Sequence, residues 1–138
     1  MPILGLDYGT ERIGAAISDP SGLLARELGT IRRENLKKDL EKIKKFIEEN
    51  KIEKIVLGLP MNMDNTPGKL VGKVKSFAKF LEQEFKIPVD YQDERLTTWQ
   101  AQKYLQEMGV RYRKGKKKID RMAARIILQD YLNTKHSC

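Results

Sequence analysis

Three short apolar runs fill the first 31 residues, and the turns between them are too tight for parallel strands. Ile3 to Tyr8 and Arg12 to Ser18 are separated by Gly9-Thr10-Glu11, and Asp19-Pro20-Ser21-Gly22 leads into a third run, Leu23 to Ile31. A parallel pair needs a crossover of about a dozen residues, so this opening sheet must be largely antiparallel. The period then changes. Leu36, Leu40, Ile43 and Ile47 recur at helical spacing among Lys and Glu, with Asn50 as a stop. Ile55-Val56-Leu57-Gly58-Leu59 is too short for a helix and suits a buried parallel strand.

Thr66-Pro67 reads as an N-cap followed by proline in the first turn of a second helix. Val71, Val74, Phe77, Ala78, Leu81 and Phe85 supply its apolar stripe. Ile87 to Gln92 is a fifth strand, Thr97-Thr98-Trp99-Gln100 a capping box for a third helix closed by Gly109, and a last helix is expected from about Ile119 to Asn133. The order βββαβαβαα predicts an α/β fold. Its mixed five-stranded sheet, three antiparallel strands then two parallel, would be flanked by helices in a single domain over 1–138. Ligands in such sheets gather beyond the carboxyl ends of the parallel strands.

Those ends carry acid. Strand one ends in Asp7, and strand five runs into Asp93-Glu94. Asp120 opens the last helix, and its neighbours at plus three, four and seven, Ala123, Ala124 and Ile127, are apolar, so it should face the sheet. Each carboxylate has an ordinary reading alone: Asp7 as a turn cap, Glu94 as a partner of Arg95 or Arg12, Asp120 as a helix-dipole residue. Together they would repel by roughly 4 kcal/mol per pair at 4 Å and an effective dielectric near 20. An all-oxygen cluster of this kind is what Mg²⁺ or Mn²⁺ prefers. Two such ions, with Asp7 bridging and Glu94 and Asp120 flanking, can activate water and stabilise the leaving oxygen of a phosphodiester.

Charge indicates the partner. Twenty-seven Lys and Arg oppose 19 Asp and Glu, a formal net charge of +8 and a pI near 9.6. This favours a polyanion such as RNA or DNA, less so an anionic membrane surface. A thermophile surface would account for 33% charged residues but not for their clustering. Arg111 to Lys118 holds six cations in eight residues, with Tyr112 for stacking and Gly115 for flexibility. A solvated loop is the ordinary reading, and a mobile arm that clamps a phosphate backbone beside Asp120 is the sharper one.

The expected nucleic-acid contacts are Arg12, Arg95, Thr97, Arg111, Arg113, Lys114, Lys116 and Lys117. The loop from Pro60 to Gly68 could hold a further phosphate at a helix N-terminus. Trp99, Tyr104, Leu105 and Met108 read as the packed face of the third helix. Cys138 and His136 lie in the C-terminal tail, which leaves no disulfide, no thiolate zinc site and no thiol with a positioned base. No charged leader and no apolar run of about 20 residues occurs, so a soluble, cytoplasmic protein is expected.

Four segments together resemble the YqgF (also called RuvX) family: Gly5-Leu6-Asp7-Tyr8-Gly9-Thr10-Glu11-Arg12-Ile13-Gly14; Gly58-Leu59-Pro60-Met61-Asn62-Met63-Asp64; Asp93-Glu94-Arg95-Leu96-Thr97-Thr98; and Lys117 through Ile119-Asp120 and Ala123-Ala124 to Leu128. They span nearly the whole chain in order. Asn65 stands where the family usually has Gly, and Asn tolerates a left-handed turn. The resemblance implies a ribonuclease H-like fold and an acidic site of Asp7, Glu94 and Asp120. The activity it implies is cleavage at the 5′ end of the 16S ribosomal RNA precursor, or resolution of Holliday junctions in DNA. The substrate would be structured or partly single-stranded RNA, with a DNA junction as the alternative.

Two other readings compete. The Asp7-Tyr8-Gly9-Thr10 turn also resembles the first phosphate motif of actin-like and sugar-kinase ATPases, but those use two such domains, and this chain has no second copy and no Walker lysine loop. A non-catalytic RNA-binding ribosome-assembly factor would suit the positive charge but not an inward-facing Asp120. Nothing in the sequence reads as an oligomer interface.

Overall fold

A computed structural model describes residues 2–59, 71–93 and 112–136. Five strands form one sheet: β1 (Ile3–Tyr8), β2 (Arg12–Ser18), β3 (Ala25–Arg32), β4 (Lys54–Leu59) and β5 (Val89–Asp93), in the order β3-β2-β1-β4-β5. β1–β2 and β2–β3 are antiparallel, while β1–β4 and β4–β5 are parallel. The expected mixed sheet is therefore found, with its direction changing at β1. A register shift between Ala15 and Ala16 bulges β3, because Ala15 pairs with Gly29 but Ala16 pairs with Glu27. The expected helix from Thr97, the Thr66-Pro67 cap and the loop from Pro60 to Gly68 lie outside the described residues.

Strand alternation divides the sheet into two faces. Leu4, Leu6, Tyr8, Ile13, Ala15, Ile55 and Leu57 point to one of them. There they meet Ile43 and Ile47 of α1 (Leu36–Asn50) and Val74, Phe77, Ala78 and Leu81 of α2 (Val71–Phe85). The opposite face carries Ala16 and Val56 under Ala124, Ile127, Leu128, Tyr131 and Leu132 of α3 (Tyr112–His136).

α1 begins at Asn35, whose side chain accepts from the Lys38 N–H at 2.9 Å. It ends beyond Asn50, where Lys51 adopts φ 52° in the left-handed region and its N–H bonds the Ile47 carbonyl. α3 starts at Tyr112, seven residues before the expected Ile119. From Tyr112 onward the basic run is thus helical rather than a loose arm. Lys and Arg are good helix formers, and one Gly costs only about 1 kcal/mol, which a helix docked along the sheet absorbs.

α3 lies close against β1 because Gly5 has no side chain. A Cβ there would meet Leu128 Cβ at 2.8 Å and the Ala124 carbonyl at 3.4 Å. Gly5→Ala is expected to lift the helix and destabilise the protein by about 1–3 kcal/mol, the usual range for overpacking. Chemical denaturation checks this, and an unchanged midpoint would show that the helix yields freely.

The other end of α3 is fastened by polar contacts. Gln129 Oε1 accepts from the Ala25 N–H at 2.8 Å, and its Nε2 donates to the Leu23 carbonyl at 2.9 Å. The Tyr131 hydroxyl donates to Asp90, and Lys54 Nζ donates to the Tyr131 oxygen at 2.8 Å while pairing with Asp90 at 3.1 Å. The Tyr131 hydroxyl first, and Asp90 after it, hold the Lys54 ammonium above the usual lysine range. These contacts sit at the starts of β3, β4 and β5, so α3 runs toward the carboxyl ends of β1, β4 and β5 as it is traced back to Tyr112.

Candidate nuclease site

Asp7 is the penultimate residue of β1 and is half-buried. Leu6 and Tyr8 on either side of it belong to the core under α1 and α2, so alternation turns Asp7 to the α3 face. Its cross-strand partner is Gly14, and Gly14 pairs in turn with Thr30. On β4, Gly58 follows Leu57, the partner of Leu6, and lies on the same face as Val56. The sheet positions flanking Asp7 therefore contribute no side chains of their own.

The turn after Asp7 is held by a group that the sequence did not disclose. The Gly9 N–H donates to the Arg12 carbonyl at 2.9 Å, and a Cβ on Gly9 would lie 2.6 Å from that same oxygen. The obstacle is backbone, which cannot move aside, so the turn requires Gly. Arg33 braces the turn from the end of β3. Its guanidinium donates to the Gly9 carbonyl at 3.1 Å, lies 4.6 Å from the Tyr8 ring centroid, and meets Asp39 at 3.4 Å. Its backbone N–H also donates to the Glu11 carbonyl at 2.9 Å.

Asp39 is fully buried and accepts in addition from the Glu34 N–H at 3.0 Å. A legible signal was present. Asp39 precedes Ile43 by four positions and Phe46 by seven, which places it on the helix face turned to the core.

The other expected site residues differ in how far they are described. Asp120 is in α3, four residues before Ala124, and its side chain lies outside the described residues. Ala123, Ala124 and Ile127, the neighbours that set its expected face, are all fully buried. Glu94, Arg95, Thr97 and Arg111 lie outside the described residues. Arg113, Lys114, Lys116 and Lys117 occupy the first turns of α3, and nothing is described of their side chains. Arg12 opens β2 with its guanidinium 3.6 Å from Glu11. Asp93 pairs with Leu59, which packs with the α1 and α2 core. Among the described residues, no group of three or more His, Cys, Asp or Glu gathers as a metal site, and no helix is long and apolar enough to cross a membrane.

Known proteins resemble this chain over nearly its whole length. The family described as "RuvX: Holliday junction resolvase" matches residues 1–134. A protein of Syntrophomonas wolfei named "Putative pre-16S rRNA nuclease" is 44% identical over 133 residues, covering 96% of this chain and 94% of that one. One of the same name from Thermoanaerobacter pseudethanolicus is 46% identical over 136 residues, covering 98% of each.

Among solved structures, Thermus thermophilus RuvC in complex with a Holliday junction substrate superposes with a TM-score of 0.56 at 16% identity, covering 98% of this chain and 95% of that one. The Fowlpox virus resolvase, in complex with its substrate Holliday junction DNA, gives 0.59 at 14% identity, covering 99% and 100%. At such identities the likeness concerns the fold, which is ribonuclease H-like. With the opening acidic motif on β1 and a match from the first residue to residue 134, this chain belongs to the RuvX family.

Proposed function

We propose that the protein is a divalent-metal-dependent nuclease that hydrolyses phosphodiester bonds, with the 5′ end of the 16S ribosomal RNA precursor as its substrate. The observation that carries this is the alignment of two carboxylate positions along neighbouring elements. Ala124 and Leu128 of α3 abut Gly5. Asp120 lies one turn before Ala124, an advance of about 6 Å along the helix. Asp7 lies two residues beyond Gly5 on the same face, an advance of about 7 Å along the strand. Both steps lead to the carboxyl end of β1. Asp90 and Gln92 of β5 share that face through their pairing with Val56 and Gly58, and Glu94 follows Gln92 by two positions in the sequence.

The donor set fits a hard cation. Asp7, Glu94 and Asp120 offer carboxylate oxygens alone, which suits Mg²⁺ or Mn²⁺, and the side-chain-free positions at Gly14 and Gly58 leave the sheet floor beside Asp7 clear of competing groups of their own. Bound divalent ions supply an activated water and stabilise the leaving oxygen. Asp7 holds its carboxylate at a fixed height on the rim through its ladder pairing with Gly14, and the Arg33 brace keeps the following turn in place. The basic start of α3 adds to the reading. Arg113 and Lys114 stand in a first turn without acid, where the helix dipole disfavours cations, as expected of residues kept for an anionic partner. A nuclease acting on ribosomal precursor RNA would work in the cytoplasm.

A DNA junction is the second reading, supported by the description of the family and the resemblance in fold. It would require paired sites in a symmetric assembly. Digestion of precursor RNA and of a synthetic four-way junction, each with Mg²⁺, Mn²⁺ or EDTA, separates the possibilities. The expected result is metal-dependent cutting of the RNA, abolished by EDTA. Preferential cutting of the junction transfers the protein to DNA. Binding of RNA without cutting in any metal would make it an assembly factor.

A further inference from the structure

We propose that a cleft at the outer edge of the β2–β3 ladder is a subsite for a backbone phosphate of the nucleic acid, with Arg12 and Arg32 as its ligands. The proposal rests on the nuclease reading only for the direction in which the strand runs. The cleft has a volume of about 550 Å³ and is lined by Thr10, Glu11, Arg12, Thr30, Arg32 and Arg33.

Sheet register explains how the cations come together. Arg12 pairs directly with Arg32, and Gly14 pairs with Thr30. Residues directly opposite in an antiparallel ladder share a face, and Gly14 also pairs with Asp7. Arg12, Arg32, Thr30 and Asp7 therefore stand on the same side of the sheet. Like charges directly across a ladder disfavour each other, and an anion is a ligand that the two guanidinium groups could share.

Arg33 is engaged by Asp39 and by the Gly9 carbonyl. Glu11 faces Arg12 at 3.6 Å, with its own side chain 69% exposed. Glu34, the acid that senses the Arg32 charge, is already held below the usual carboxylate range, first by its hydrogen bond to Lys42 and then by the charges of Lys42 and Lys38. Arg32 is exposed and forms no salt bridge among the described residues.

The lining chemistry selects the ligand. Guanidinium forks and threonine hydroxyls match phosphate oxygens. No aromatic or aliphatic side chain is present among the lining residues to stack a base, so the site reads backbone and not sequence. Thr30 lies two strands from Asp7, about 10 Å across the sheet, which suits a phosphate close to the one being cut.

The test uses the full chain in EDTA, so that binding is read without cleavage. Fluorescein-labelled single-stranded RNA and DNA oligonucleotides of several sequences are titrated by anisotropy over a salt series. Arg32→Ala is expected to weaken binding about five- to tenfold for every sequence and to lower the salt slope by about 0.7. Arg32→Glu should weaken it further, and Arg32→Lys should keep the slope. Lys44→Ala, which removes the same charge from an exposed site on α1, should stay within about twofold.

Unchanged affinity and slope in both Arg32→Ala and Arg32→Glu would overturn the subsite. An equal loss in Lys44→Ala would also overturn it, because the effect would then belong to net charge. Either failure leaves the nuclease reading standing, since that depends on cleavage and on Asp7.

Discussion

Asp7→Asn is expected to lower metal-dependent cleavage by about three orders of magnitude while leaving nucleic-acid binding intact. Asn keeps the shape of the side chain and the ladder pairing with Gly14, so the strand itself is undisturbed. What it removes is the negative charge through which the rim would hold a divalent ion. Ion-assisted stabilisation of a developing oxyanion contributes several kcal/mol, and each 1.36 kcal/mol is about tenfold in rate. Binding measured in EDTA should hold or tighten, because one negative charge near the phosphate groove is gone. Single-turnover cleavage alongside anisotropy measures both quantities. Cleavage within about twofold of the wild type would remove Asp7 from the chemistry and with it the assigned site.

Asp39→Ala should destabilise the protein by about 2–4 kcal/mol, a fall in Tm of about 10 °C for a chain of this size. The carboxylate is fully buried, and its loss strands the Glu34 N–H at 3.0 Å and the Arg33 guanidinium at 3.4 Å. Arg33 is about one quarter exposed, so water recovers part of its solvation and keeps the figure below that of a wholly buried pair. Asp39→Asn should cost less, since an amide oxygen can still accept from Glu34. Glu34→Gln, which breaks exposed pairs with Lys38 and Lys42, should leave the Tm close to that of the wild type. The damage should also reach the site, because Arg33 is the brace on the turn after Asp7. A Tm within about 2 °C of the wild type in Asp39→Ala would mean that the buried acid is dispensable.

Much of this architecture was legible because hydrophobic period carries it. The change from period two to period 3.6 after Ile31 separates the antiparallel strands from α1, and Ile43, Ile47, Val74, Phe77 and Leu81 all reach the core on the expected faces. The face of α3 could be read from Ala123, Ala124 and Ile127, and it is buried. Two features escaped. The start of α3 was set too late, because consecutive cations signal a solvated loop by charge while their intrinsic preference is helical. The Arg33–Asp39 brace joins the end of one strand to the first turns of a helix and reaches back to Gly9. Such a contact is a product of tertiary proximity, and only the phase of Asp39 relative to Ile43 hints at it.

The irregularity in β3 bears on how two copies could assemble. With Leu28 unmatched between Glu27 and Gly29, the hydrogen-bonding groups along the free side of this strand fall out of step midway, and the local coiling increases. Arg26, Glu27 and Arg32 are exposed along the same strand. A border of this kind resists being extended by a neighbour's strand. Any twofold particle able to grip a branched DNA would consequently not be joined by fusing two sheets along β3 into one continuous ribbon.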